Sequence, residues 1–293
     1  MMALDHPLSW HIHILWSLAI LALVLAYFRT TRAPDRRPNR RQVLLFTLGV
    51  VALAVAVTWP LGDLAAHWLL MALVLQRLLL MLAIPPLLVA GTPRPILARL
   101  TRPAVIDTTI RLAAKPIPAV AFVTVVAVGT LTTGAVSLAT SSEVARAVIQ
   151  LLVLFSGFVL WAPILSELPG LTRLSALGRG GYLIVQSIVP SFLSVVWIFA
   201  RRPLYSAYAH HANVAGVSPV LDQQLAGFLA KLCTIAVLWA VAFTIMTRGQ
   251  VTAGDEEDPE PLLWSDVERE IERADRRDRR ERWSGPPPAT PPG

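Results

Sequence analysis

Seven apolar blocks, each about as long as a bilayer-crossing helix, organise this chain: roughly residues 10–28, 43–60, 69–91, 118–140, 147–166, 181–200 and 224–246. A transmembrane helix needs about 17–25 mostly apolar residues, and no soluble core calls for seven such blocks in series. Apolar residues make up 55% of the chain and charged residues 15%, against about 25% charged in a typical soluble domain. A soluble enzyme is thereby excluded. The expected fold class is all-α: a polytopic membrane bundle of seven transmembrane helices over 1–248, followed by a charged tail over 249–293.

The charges set the expected orientation. The connections 29–42, 92–117 and 167–180, together with the tail after 246, hold 21 of the 26 basic residues. They all lie on one side of a seven-crossing chain, and the positive-inside rule puts that side in the cytoplasm. The N-terminus is then outside and the C-terminus cytoplasmic, as in a multi-pass plasma membrane protein. Arg146, Arg201 and Arg202 stand against the bias, while Arg77 and Lys231 fall inside blocks. Met1–Trp10 has no basic leading region, so the first block reads as a retained helix rather than a signal peptide. The net charge of +7 follows this loop pattern and points to lipid, with no nucleic-acid partner expected.

The tail is a separate compositional unit. Ser265-Asp266-Val267-Glu268 has the capping-box spacing. Glu272/Arg276, Asp275/Arg279 and Asp278/Arg282 follow, acid first and four apart. The spacing predicts a helix near 266–283, stopped by Gly285-Pro286-Pro287-Pro288 ahead of a proline-rich, disordered end. Such a helix is either a solvated extension or a docking handle.

Polar groups inside hydrocarbon are costly enough to count as site candidates. Gln76, Arg77, Gln150 and Lys231 form one set, an intramembrane cationic site for an anion or a lipid phosphate. Snorkelling of the two long side chains is the alternative. Histidines form a second set. His6, His11, His13, His67, His210 and His211 all fall at the expected outer side. His67 and Met71, four apart and so on one helical face, combine imidazole with a thioether suited to Cu(I). A copper site of His67, Met71, His11, His13, His210 and His211 competes with the reading of solvated loop histidines. The one cysteine, Cys233, forms no internal disulfide. No nucleophile–base spacing, buried acid pair or phosphate-cradling loop is present, so no enzyme is expected.

Several stretches carry a resemblance. They are Leu79-Leu80-Met81-Leu82-Ala83-Ile84-Pro85-Pro86-Leu87-Leu88 with Gly91-Thr92-Pro93, then Trp161-Ala162-Pro163, Arg202-Pro203-Leu204-Tyr205 with Tyr208, and Asp222-Gln223-Gln224-Leu225-Ala226-Gly227. In this order, from about 43 to 246, the chain resembles the bacterial seven-helix cytochrome c oxidase assembly factors of the CtaG type. The resemblance implies a non-enzymatic role in maturing a haem-copper oxidase of the respiratory chain. It also implies oxidase subunits as partners and copper insertion at the outer face of the plasma membrane. It says nothing of oligomeric state. The family's two histidine pairs fall here on Leu73 and Arg77 and on Arg146 and Gln150. Arginine stays protonated and does not ligate a metal in the ordinary way. From the residues themselves, Asp222 and Gln223 are expected to hold the last helix start by capping and interhelical hydrogen bonds, and Pro85 and Pro86 to kink the third helix.

Overall fold

The computed structural model describes residues 13–33, 37–101, 103–165, 174–209, 216–257 and 276. Helices alone build it, with no strand among the described residues. Residues Met1–Met246 form one compact unit and Thr247–Gly293 a second. The expected tail helix near 266–283 lies outside the described residues except for Arg276, which is helical.

Two straight helices open the bundle, α1 (Ile14–Thr31) and α2 (Arg40–Val57). Asn39 starts α2 with a capping box to Gln42, satisfying two amides that a helix start leaves orphaned. A break precedes the third crossing and a π-turn interrupts it. A short turn over Leu61–Asp63 runs into a π-turn at Leu64–Trp68, and Leu69 is fully extended at φ −135°, ψ 130°. The chain then re-enters helix as α3 (Leu70–Leu78), widens into a second π-turn (Leu79–Ala83) and continues as α4 (Ile84–Gly91). After α5 (Arg94–Leu100) and α6 (Ala104–Ala113) come α7 (Pro116–Gly129) and α8 (Thr133–Ser141). The remaining elements are α9 (Glu143–Trp161), α10 (Ala176–Phe199), the short α11 (Ser206–Ala209) and the long α12 (Pro219–Glu257).

Six helices are long and apolar enough to cross a membrane, or seven if the pair Ile106–Ala113 and Pro116–Gly129, bent by 95°, counts as one. This corrects the expected single span over 118–140. Thr130-Leu131-Thr132 divides it into α7 and α8, which are 14 and 9 residues long. Neither reaches the length one crossing requires.

The Leu70–Gly91 crossing is the hub. Of its most apolar window 56% is buried, against 17–39% for the other five candidate spans. α2 runs along α4, and α9 packs on the second π-turn, on α7 and on α8. Leu18, Leu21, Leu44, Leu48, Phe192 and Phe199 are exposed, as lipid-facing side chains must be.

The broken backbone has named partners. Pro85 lacks an N–H, so the carbonyl four residues earlier, at Met81, loses its helical donor. Trp161 Nε1 donates to that Met81 oxygen at 3.0 Å. Gly157 lets α9 approach closely enough. A Cβ there would lie 2.7 Å from the Leu80 oxygen, 2.7 Å from Pro85 Cγ and 2.8 Å from Met81 Cα. In lipid no hydrophobic force holds helices together, and close packing of small residues takes its place. Gly157→Ala is expected to destabilise the protein by about 1–3 kcal/mol through overpacking against atoms that cannot swing away. A thermal melt in detergent indistinguishable from wild type would refute this account of the α9 seam.

Candidate functional site

One end of the bundle, marked by Asp63, Tyr208 and Asp222, gathers buried polar groups that bond across elements. Asp222 is the fourth residue of α12 and is 2% exposed. Its two oxygens accept from the backbone N–H groups of Leu70 (2.7 Å) and Met71 (3.0 Å). The carboxylate therefore caps α3, across the Leu69 break, rather than the start of its own helix. Gln223 Oε1 accepts from the Leu204 N–H at 2.8 Å, and Gln224 Nε2 donates to the Ala200 carbonyl at 3.4 Å. Both hold the connection that carries Pro203. The phenol of Tyr205 donates to the Leu131 carbonyl at 2.6 Å, between α7 and α8, and that of Tyr208 to Ala65 at 2.6 Å in the first π-turn. Burial pushes the Tyr208 phenol well above its ordinary range, so it remains a neutral donor. Gly227 allows close approach of α12 to α10, its Cβ position lying 2.8 Å from the Ser194 oxygen.

The other motif residues are structural as well. Pro85 and Pro86 open α4 after the π-turn. The Gly91 carbonyl accepts from Tyr27 Oη at 3.1 Å. Pro93 precedes α5, and Pro163 lies in the turn that ends α9.

Three spaces lie among these elements. An open recess of about 380 Å³ is lined by His67, Ser137, Thr140, Ser141, Ser206 and Ala207. Thr140 also borders a second, very small cavity of about 10 Å³. Its walls include Leu73, Gln76, Arg77, Arg146, Gln150 and Tyr208. Arg77 and Val153 in turn border a third, partly open chamber of about 70 Å³. Around the small cavity, Gln76 Nε2 donates to the Ala56 carbonyl (2.6 Å), and Gln150 Oε1 accepts from Trp16 Nε1 (2.6 Å). The guanidinium of Arg77 donates to the Thr130 hydroxyl. That of Arg146 donates to the Ala139 carbonyl at 3.4 Å.

The expected cationic site is thus assembled in part. Gln76, Arg77 and Gln150 share one cavity, but Lys231 does not join them. It is half-buried on α12 and borders none of the three spaces. Ala230, Thr234 and Leu238, spaced by four, face inward instead, and the next residue along a helix points about 100° away. Arg146 and Tyr208 take its place. Sequence reading counted Arg146 as a loop charge. Its spacing of four from Gln150 was the signal that both face one space.

Of the expected copper set only His13, His67 and Met71 lie among the described residues, and these three are held apart. Leu69 is extended between His67 and Met71, so the two do not share a helical face; His67 faces the recess while Met71 packs with the core around Leu70 and Trp197. His13 Nε2 lies 2.8 Å from Asp63 Oδ1, both residues buried. His6, His11, His210 and His211 lie outside the described residues. Among the described residues no group of three or more His, Cys, Asp or Glu is placed to hold a metal ion.

The sequence model of the cytochrome c oxidase caa3 assembly factors (Caa3_CtaG) matches residues 13–249, most of the chain. The chain belongs to this family. It matches no curated protein and no solved structure. In this caa3 assembly factor the four positions at 73, 77, 146 and 150 converge on one cavity. Here they carry an alkyl group, two guanidinium groups and an amide already bonded to Trp16. Copper prefers thiolate, thioether or imidazole, and a guanidinium offers no free lone pair. This donor set does not fit a copper ion.

Proposed function

We propose that this caa3 assembly factor acts on its oxidase as a membrane scaffold, catalysing no reaction and relaying no copper through the 73/77/146/150 cavity. One observation carries the reading: the four positions meet around a single cavity, and the groups on them offer no copper ligand and two positive charges. Its partners are oxidase subunits, and lipid surrounds it. The arginine-rich connections, through the positive-inside rule, support a reading with a cytoplasmic tail and an outward-facing Asp222 at the plasma membrane. Copper insertion, the role that the family resemblance implies, would have to use groups outside that cavity, among them His67 in the recess.

A deletion strain grown with limiting and then with added copper tests this. Loss of cytochrome c oxidase activity and of its haem absorbance is expected, and added copper should not restore either. Restoration by copper would favour delivery and direct attention to His67. Oxidase unchanged under both conditions would remove the assembly role for this chain.

A further inference from the structure

The third chamber combines two groups that a membrane interior rarely leaves unmatched. Gln186, on α10, is 2% exposed, and neither its Nε2 nor its Oε1 has a hydrogen-bond partner. Its side chain borders the chamber of about 70 Å³, several times the about 10–15 Å³ that admits one water. Arg77 borders the same space. It is buried, its hydrogen bond goes to the neutral Thr130 hydroxyl, and no carboxylate lies against it among the described residues. Arg146, by contrast, has Glu143 and Asp63 near enough to offset its charge. The remaining wall is almost wholly apolar, with Leu78, Leu82, Val153, Leu160, Trp197 and Leu238.

The chemistry of these walls narrows the occupant. A buried cation without a counter-charge is costly, and so is an orphaned amide. A cluster of waters would leave the Arg77 charge unbalanced and the leucine walls without contacts. A neutral amphiphile would satisfy the walls but not the charge. A dianion would overcompensate a single guanidinium, and a bare inorganic anion would leave the apolar surface unused. A carboxylate matches the guanidinium fork, has an oxygen left to accept from an amide N–H, and can carry a hydrocarbon body.

We propose that the chamber binds a membrane-soluble monocarboxylate, its head on Arg77 and Gln186 and its hydrocarbon against Leu82, Leu160 and Leu238. The site is independent of the oxidase scaffold role. It stands or falls on the chamber alone.

Equilibrium dialysis of the detergent-solubilised full-length protein against radiolabelled octanoate, with empty micelles as the blank, tests it. Saturable binding of about one octanoate per chain is expected. Octanol, with the same chain and no charge, should bind at least about tenfold more weakly, a difference of about 1.4 kcal/mol. Arg77→Gln and Gln186→Leu should each weaken octanoate by about tenfold or more. Lys231→Gln should leave it unchanged. No saturable uptake by the wild type, or equal binding of octanol and octanoate, would overturn the proposal without reference to any variant. A loss in Lys231→Gln equal to that in Arg77→Gln would do the same, because surface attraction would then explain the uptake.

Discussion

Asp222→Ala is expected to be the most damaging single substitution in this protein, lowering its stability by about 3–6 kcal/mol. Hydrogen bonds to a charged group contribute about 1.5–3 kcal/mol each, and this carboxylate accepts two, from the first amides of α3. Those amides form the positive end of a helix, so the carboxylate also meets a favourable dipole. Nothing replaces it after truncation. Leu70 is 1% exposed, so water does not reach its freed N–H, and the break at Leu69 denies it a helical carbonyl partner of the ordinary kind. Asp222→Asn keeps one acceptor and removes the charge, so roughly half the loss is expected. The measurement is thermal unfolding in detergent, where Asp222→Ala should melt about 10 °C or more below wild type and Asp222→Asn in between. Equal melting of wild type and Asp222→Ala would mean that the two short contacts contribute nothing net.

The second large effect is a gain. With Leu73→His, Arg77→His, Arg146→His and Gln150→His combined, two helices each present a pair of imidazoles, spaced by four, to the cavity those positions already share. Imidazole is a good copper ligand where arginine and leucine are none. Copper retained after purification should rise from background to about one ion per chain. Either pair alone, two ligands on one helix, should hold the metal far less firmly. If the fourfold variant binds no more than wild type, the cavity is the wrong shape for a metal, and the change at these positions did not remove a site from this chain. Stability should be checked alongside, because Arg77→His also removes the donor to Thr130.

Much of the fold was legible because hydrocarbon imposes a length. The blocks at 10–28, 147–166 and 181–200 overlap α1, α9 and α10, with ends displaced by a few residues. The breaks were harder to see. Leu69 sits in Trp68-Leu69-Leu70-Met71, with no glycine or proline to mark an extended residue, and the carboxylate that caps the helix beyond it, Asp222, lies 152 residues from Leu70. No local pattern reports that. The break between α7 and α8 did leave a trace, since Thr130, Thr132 and Thr133 interrupt an otherwise apolar run, and hydroxyls of this kind satisfy helix ends. Thr130 donates to the Val126 carbonyl there and Thr132 to that of Gly129.

At the site, residue type was legible and phase was not. Arg77, Gln76 and Gln150 were visible as polar groups within apolar blocks, and they do share a cavity. Lys231 had the same standing by composition. Which face of α12 turns inward depends on packing against α10 at Gly227, and one residue of error moves a side chain from chamber to flank. Tyr208 entered through the resemblance alone. Gln186 is a polar residue within the block 181–200, but that it is left without a partner follows only from the surrounding walls.

The Leu69 break has a consequence for how the molecule comes into being. A ribosome delivers α3 into the membrane well before it synthesises α12, yet the group that closes the α3 start, Asp222, arrives only with that last span. Until then the hub crossing waits with two open amides. Completion of the bundle therefore waits for the synthesis of α12, and a chain cut short before residue 222 should present an unclosed hub to the cell's membrane proteases.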